Sequence, residues 1–110
     1  MKRLTKANLV GIKLKLAMNQ LEDLGSANAI AQWLKIQGVS GETYDPVGCP
    51  VALWLKDQIG LGEACVTKKY IDITLPRNMT VCVKTPKVVR TFIHNFDRKK
   101  YPNLIKKESS

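Results

Sequence analysis

The stretch Lys69-Tyr70-Ile71-Asp72-Ile73-Thr74-Leu75-Pro76-Arg77-Asn78-Met79-Thr80-Val81-Cys82-Val83-Lys84 decides the fold, because here the apolar period is two. Ile71, Ile73 and Leu75 fall on one face of an extended chain, with Tyr70, Asp72 and Thr74 on the other. Met79, Val81 and Val83 alternate in the same way with Thr80, Cys82 and Lys84. Between the two runs stands turn chemistry: Pro76 presets φ, and Asn78 tolerates the left-handed region. The expectation is an antiparallel β-hairpin with a short turn.

On either side of this hairpin the period is helical. Upstream, Val10, Leu14, Ala17, Leu21 and Leu24 recur at spacings of three and four, with Leu9, Ile12 and Leu16 alongside. Thr5 is a suitable N-cap and Gly25 a suitable stop for that helix. Ser26 caps a second helix, with Ile30, Trp33, Leu34 and Ile36 apolar and Gly38 closing it. Residues 38–48 read as a loop punctuated by glycine and proline. Cys49-Pro50 opens a third, short helix, where proline at the first helical position sacrifices no hydrogen bond. Its residues Val51 to Leu55 are apolar nearly all round, so it is expected to be buried, and Gly60 ends it.

Downstream, Thr85-Pro86 is expected to cap a last helix, whose apolar stripe is Val88, Val89, Phe92, Ile93 and Phe96. Lys87, Arg90 and His94 lie on or near its rim, and Tyr101-Pro102 ends it. The fold class is therefore α+β and mostly helical, α-α-α-β-β-α, with one antiparallel hairpin packed on a four-helix body. Residues 1–105 are expected to form a single compact domain with Leu104 and Ile105 tucked back, and residues 106–110 a disordered polar tail.

Composition limits the function. The 18 basic and nine acidic residues give a net charge of +9. The charge is uneven: residues 1–60 hold seven basic and five acidic residues (+2), and residues 61–110 hold eleven and four (+7). A basic half points to an anionic partner. Lys13 and Lys15 interrupt the apolar residues that a signal peptide would need after the basic start, and no apolar run is long enough to span a membrane. The expected location is the cytoplasm.

Chemistry finds little footing. Three separated cysteines, Cys49, Cys65 and Cys82, with one histidine, form neither a disulfide framework nor a zinc motif. His94 has no nucleophile beside it in sequence, the carboxylates Asp45 and Asp57 are isolated, and Glu22-Asp23 sit together at a helix end. Gly60-Leu61-Gly62 lacks the rest of a phosphate loop. No catalytic residue, metal site, cofactor or small-molecule substrate is expected.

Binding is better supported. Three helices, a hairpin and a helix is the element order of winged-helix DNA-binding domains, in which the hairpin touches the DNA backbone. Here the hairpin region carries Lys68, Lys69, Arg77 and Lys84, with Arg77 at its tip. The last helix adds Lys87 and Arg90, and its end adds Arg98, Lys99 and Lys100 with Tyr101 interleaved. These nine basic residues are the candidate nucleic-acid contacts. The third helix suits base reading badly, since its polar residues, Lys56, Asp57 and Gln58, stand at its end. Tyr44 is expected to pin its glycine-rich loop, and Trp33 and Trp54 are expected in the core.

Two stretches carry a resemblance. Cys49-Pro50-Val51-Ala52-Leu53-Trp54-Leu55 resembles a CP-x-A-x-x-L helix start. Pro86 to Leu104, PKVVRTFIHNFDRKKYPNL, resembles a P-x-x-V-x-x-F-x-x-x-FD-x-x-x-YP-x-L ending. Both are similar to small uncharacterised proteins of phages and other mobile elements in actinobacteria, over about a quarter of the chain. The matching residues are packing residues, so the resemblance implies no active site. It implies a setting in which small accessory proteins bind DNA or block a host defence protein. Two partner classes follow: nucleic acid first, and as alternative a host protein or ribonucleoprotein, the chain then acting as an inhibitor of a defence nuclease.

Overall fold

The computed structural model describes residues 5–106. Helix α1 spans Lys6–Asp23, α2 Ala27–Ile36 and α3 Pro50–Ile59. Strands β1 (Glu63–Val66), β2 (Tyr70–Leu75) and β3 (Met79–Lys84) follow, then α4 (Lys87–Asp97). The first three helices start where the capping residues stand. The Thr5 hydroxyl accepts from the Asn8 N–H at 3.1 Å, and the Ser26 hydroxyl from the Ala29 N–H at 3.1 Å. Cys49 takes the same position for α3, its sulfur accepting from the Ala52 N–H at 3.4 Å.

The class is α+β as expected, but the sheet has three strands, β1-β2-β3, each antiparallel to its neighbour. The expected hairpin is β2 and β3; β1 is an addition. Only Ala64 and Val66 alternate in β1, too short a pattern to stand out from the flanking glycines. Gly62 makes the pairing possible. Its φ is +81°, and a Cβ there would lie 2.6 Å from the Thr74 carbonyl oxygen. The hairpin is consequently part of a core-forming sheet rather than a projecting wing: Ala64, Val66, Ile71, Ile73 and Leu75 are all buried.

The sheet's apolar face, the α1 stripe Val10-Leu14-Ala17-Met18-Leu21, the α2 residues Ile30 and Leu34, and α4's Val89, Phe92 and Phe96 close one core. Trp54 and Leu55 of α3 lie within it, Trp54 only 2% exposed. Trp33 is half-buried against the same cluster. Neither indole N–H has a partner, so both tryptophans serve as apolar filling.

Residues 104–106 are fastened to the loop after α2. Gly41 N–H donates to Leu104 O at 2.8 Å, and Lys106 N–H donates to Gly41 O at 2.8 Å. Leu104 is buried, as expected. The tail was expected to begin at Lys106, but this bond puts Lys106 in the folded part; residues 107–110 lie outside the described residues.

Candidate nucleic-acid interface

Helix α4 sorts its residues cleanly. Val89, Phe92, Ile93 and Phe96 are buried, while Lys87, Arg90, His94 and Arg98 are exposed. The exposed four are spaced three, four and four residues apart, which places them in one row along the outer ridge. Eleven residues of helical rise make that row about 16 Å long.

At the start of α4 the β1–β2 turn joins the row. The Thr67 hydroxyl organises this turn, donating to Tyr70 O at 2.9 Å and accepting from the Tyr70 N–H at 3.0 Å and the Lys69 N–H at 3.3 Å. Lys68 and Lys69 stand exposed on it. Thr85 ties the turn to the root of α4: its hydroxyl donates to Thr67 O at 2.7 Å and its N–H to Lys69 O at 3.1 Å. Thr85 is thus a buried clasp. It does not cap α4 as its sequence position suggests; Pro86 is the N-cap residue, without a side-chain bond. Lys84 pairs with Tyr70 across β2 and β3, so Lys68, Lys69, Lys84 and Lys87 gather at one end of the sheet.

Arg77 does not join them. It occupies the β2–β3 turn, beyond the Leu75–Met79 pair at the other end of the strands. Five residues of strand rise separate the two ends by about 17 Å. It is also Arg77, and not Asn78, that takes the left-handed conformation, with φ +69°.

The far end of the ridge is shaped by a second left-handed basic residue. Lys99 has φ +63°, its N–H donates to Phe96 O at 2.9 Å, and the Lys100 N–H donates to Asn95 O at 3.0 Å. This is a helix-terminating motif with lysine where glycine is usual. The reversal separates the expected Arg98-Lys99-Lys100 cluster. Lys100 lines a cleft with Asn28, Lys35 and Tyr101 beside α2. Tyr101 is committed to structure there: its hydroxyl donates to Asn28 Oδ1 at 2.9 Å, and its ring stacks on Phe92 with centroids 5.4 Å apart.

Of the two exposed aromatic residues, Tyr70 and Tyr44, the more open is Tyr44. Its backbone N–H donates to Asp97 Oδ1 at 2.9 Å, which fixes the loop against the end of α4. The pinning is done by the backbone, while the ring is 73% exposed. Tyr44, Lys68 and Asp97 line a common hollow of about 240 Å³. The ring therefore stands between the basic turn and the end of the basic ridge. Sequence alone placed Tyr44 in a loop; its closeness to Asp97, 53 residues away, is a tertiary fact with no local signal.

Two of the three cysteines have raised thiol pKa values. Burial pushes the Cys49 thiol from its ordinary 9.0 up to about 11, helped by the charges of Asp97 and Asp45 and opposed by the N–H groups of Ala52 and Val51. Cys82 is also raised, first by the Asp72 carboxylate opposite it on β2. Cys49 is held in its thiol form. His94 stands on the exposed ridge. Among the described residues no cluster of three potential ligands is placed to hold a metal. No helix among them is long and apolar enough to cross a membrane. No family model, curated protein or solved structure matches this chain.

Proposed function

We propose that this protein is a non-enzymatic nucleic-acid-binding module that grips the phosphate backbone along the outer ridge of α4 and the β1–β2 turn. The observation that carries the reading is the row Lys87-Arg90-His94-Arg98, continued by Lys68, Lys69 and Lys84 at one end and Lys99 at the other. The carboxylate of α4, Asp97, is engaged by the Tyr44 N–H rather than paired with any of these cations. Contacts of this kind position a duplex or strand without reading its sequence. Helix α3 is unsuited to base reading, since six of its ten residues are buried. The exposed Tyr44 ring offers a stacking surface for an unpaired base beside the cationic row.

The test is a titration of fluorescein-labelled DNA, duplex and single-stranded, followed by anisotropy at 50 and 200 mM salt. Five phosphate contacts would give a log–log slope of about −4.5 and an affinity loss of about 500-fold across that range. Flat anisotropy at the lower salt refutes the reading.

A second reading, a protein-binding inhibitor of a host defence nuclease, draws on a different observation. Leu9, Ile12 and Leu16 of α1 are 45%, 47% and 62% exposed.

A further inference from the structure

The sequence presents α1 as one broad apolar stripe, and the fold splits it into two. Val10, Leu14, Ala17, Met18 and Leu21 face the core. At 100° per residue, Leu9, Ile12 and Leu16 project from the opposite side of the helix, about 180° from Leu14. Exposed apolar residues scattered singly call for no explanation, but three in a row on one ridge do. Their spacing of three then four is that of successive a, d and a positions of a coiled-coil seam. In that register Lys6 and Lys13 occupy e positions and Lys15 a g position, so lysines border the seam on both sides. No acidic residue occurs in α1 before Glu22.

We infer that this outer face of α1 docks an acidic amphipathic helix of another protein, one with apolar residues on its own seam and Asp or Glu flanking it. Charge decides among the occupants. Antiparallel pairing of two copies would set e positions against e positions, lysine against lysine, at a cost of several kcal/mol, and parallel pairing would set Lys13 against Asn8 and Lys15 against Gln20, which leaves the lysines without an acidic partner. An anionic membrane would accept the lysines, but Asp23, two heptads beyond Leu9, continues the line of the apolar stripe and would be pressed into the headgroups. A helix with acidic flanks pairs with Lys6 and Lys15, adds charge to Lys13, whose Nζ already donates to Ile59 O at 3.4 Å, and covers the three apolar side chains in the helix-to-helix mode of recognition. The inference gives the second reading its partner chemistry, yet stands without a nuclease as target. It is also separate from the nucleic-acid reading in its residues: Leu9, Ile12 and Leu16 belong to neither the α4 ridge nor the β1–β2 turn.

The experiment uses the whole protein and a labelled three-heptad peptide with leucine at a and d and glutamate at e and g. A matched peptide with lysine at e and g, and vesicles containing phosphatidylserine, serve as comparators. Binding of the glutamate peptide is expected, with at least a tenfold loss in Ile12→Ser/Leu16→Ser. That variant keeps every charge, and both side chains are exposed, so the core is untouched. Lys6→Glu/Lys15→Glu, which spares Lys13 and its bond to Ile59 O, should reverse the preference toward the lysine peptide. The inference is overturned by no binding of the glutamate peptide, or by equal binding to parent and Ile12→Ser/Leu16→Ser. It is equally overturned if that variant abolishes only vesicle binding or only self-association. DNA anisotropy of the same variant should match the parent, so failure here and failure of the nucleic-acid reading are read separately.

Discussion

The backbone N–H of Tyr44 donates to the Asp97 carboxylate at 2.9 Å, joining the loop after α2 to the end of α4. The bond places the exposed tyrosine ring beside the basic ridge while leaving the ring itself unengaged. Asp97→Ala removes the acceptor and should lower stability by about 1 kcal/mol, as expected for a partly solvated hydrogen bond to a charged group. Amide hydrogen exchange is the direct readout: the Tyr44 N–H should lose its protection while the α4 amides keep theirs. Retained protection at Tyr44 would mean that other contacts hold the loop.

Arg77 and Lys99 are cationic residues in the left-handed region, at φ +69° and +63°. That conformation costs a non-glycine residue about 1 kcal/mol. Arg77→Gly and Lys99→Gly should each raise stability in urea unfolding, by about 0.5 kcal/mol after the added freedom of the unfolded chain is counted. Their effects on DNA should differ. Lys99 ends the basic ridge, so its loss should weaken binding several-fold; Arg77 lies beyond the far end of the strands, so its loss should change binding little. Equal losses would return Arg77 to the interface.

Gly41 has room for no side chain. A Cβ there would lie 2.4 Å from the Gly48 carbonyl oxygen and 2.7 Å from the Pro50 nitrogen, both backbone atoms. The same residue also bonds to Leu104 and Lys106. Gly41→Ala should destabilise by about 3 kcal/mol, because neither the loop nor the start of α3 can shift without breaking those bonds. Thermal unfolding should show a fall of more than about 10 °C in Tm, given that 1 kcal/mol moves a domain of this size by about 4 °C or more. A shift of a degree or two would contradict the close approach.

Cys49 makes stability depend on alkaline pH. The thiol ionises near 9.0 when unfolded and near 11 when folded, chiefly because of burial. Its folded pKa is raised, so the contribution is complete below pH 9 and is lost as pH climbs from 9 to 11, by about 2–3 kcal/mol. Cys49→Ser keeps a capping atom for the Ala52 N–H and has no titration in that window. The difference in stability between parent and Cys49→Ser should change between pH 8 and pH 11 in that direction; a constant difference would show that the thiol is not desolvated.

The parts of this fold legible in the sequence were those set by neighbouring residues. Thr5, Ser26 and Cys49-Pro50 mark helix starts through bonds spanning three residues, and the alternation of Ile71, Ile73 and Leu75 marks β2 through burial of one face. Strand β1 escaped because its four residues carry two buried apolar side chains, too few to establish a period. Thr85 resembles a cap and became a clasp, because Thr67 and Lys69 offered it carbonyl oxygens 18 and 16 residues away. The nine basic candidates were visible as composition, but their grouping was not. Antiparallel pairing sends Arg77 to one end of the sheet and Lys68, Lys69 and Lys84 to the other, and the left-handed Lys99 turns Lys100 toward α2. The sequence reads α1 as one broad apolar stripe; that Leu9, Ile12 and Leu16 stay outside the core is a tertiary outcome.

Two charge reversals of equal size decide whether the α4 ridge is the nucleic-acid interface. One is Lys87→Glu/Arg90→Glu/Arg98→Glu on the ridge; the other is Lys6→Glu/Lys15→Glu/Lys35→Glu on α1 and α2. All six side chains are exposed, so both variants should fold, and both lower the net charge equally. Anisotropy with labelled DNA at 50 mM salt should show the ridge variant losing at least 100-fold in affinity, with a flattened salt slope, and the α1–α2 variant losing less than about tenfold. Equal losses in the two variants would mean that overall charge, and not this ridge, holds the nucleic acid.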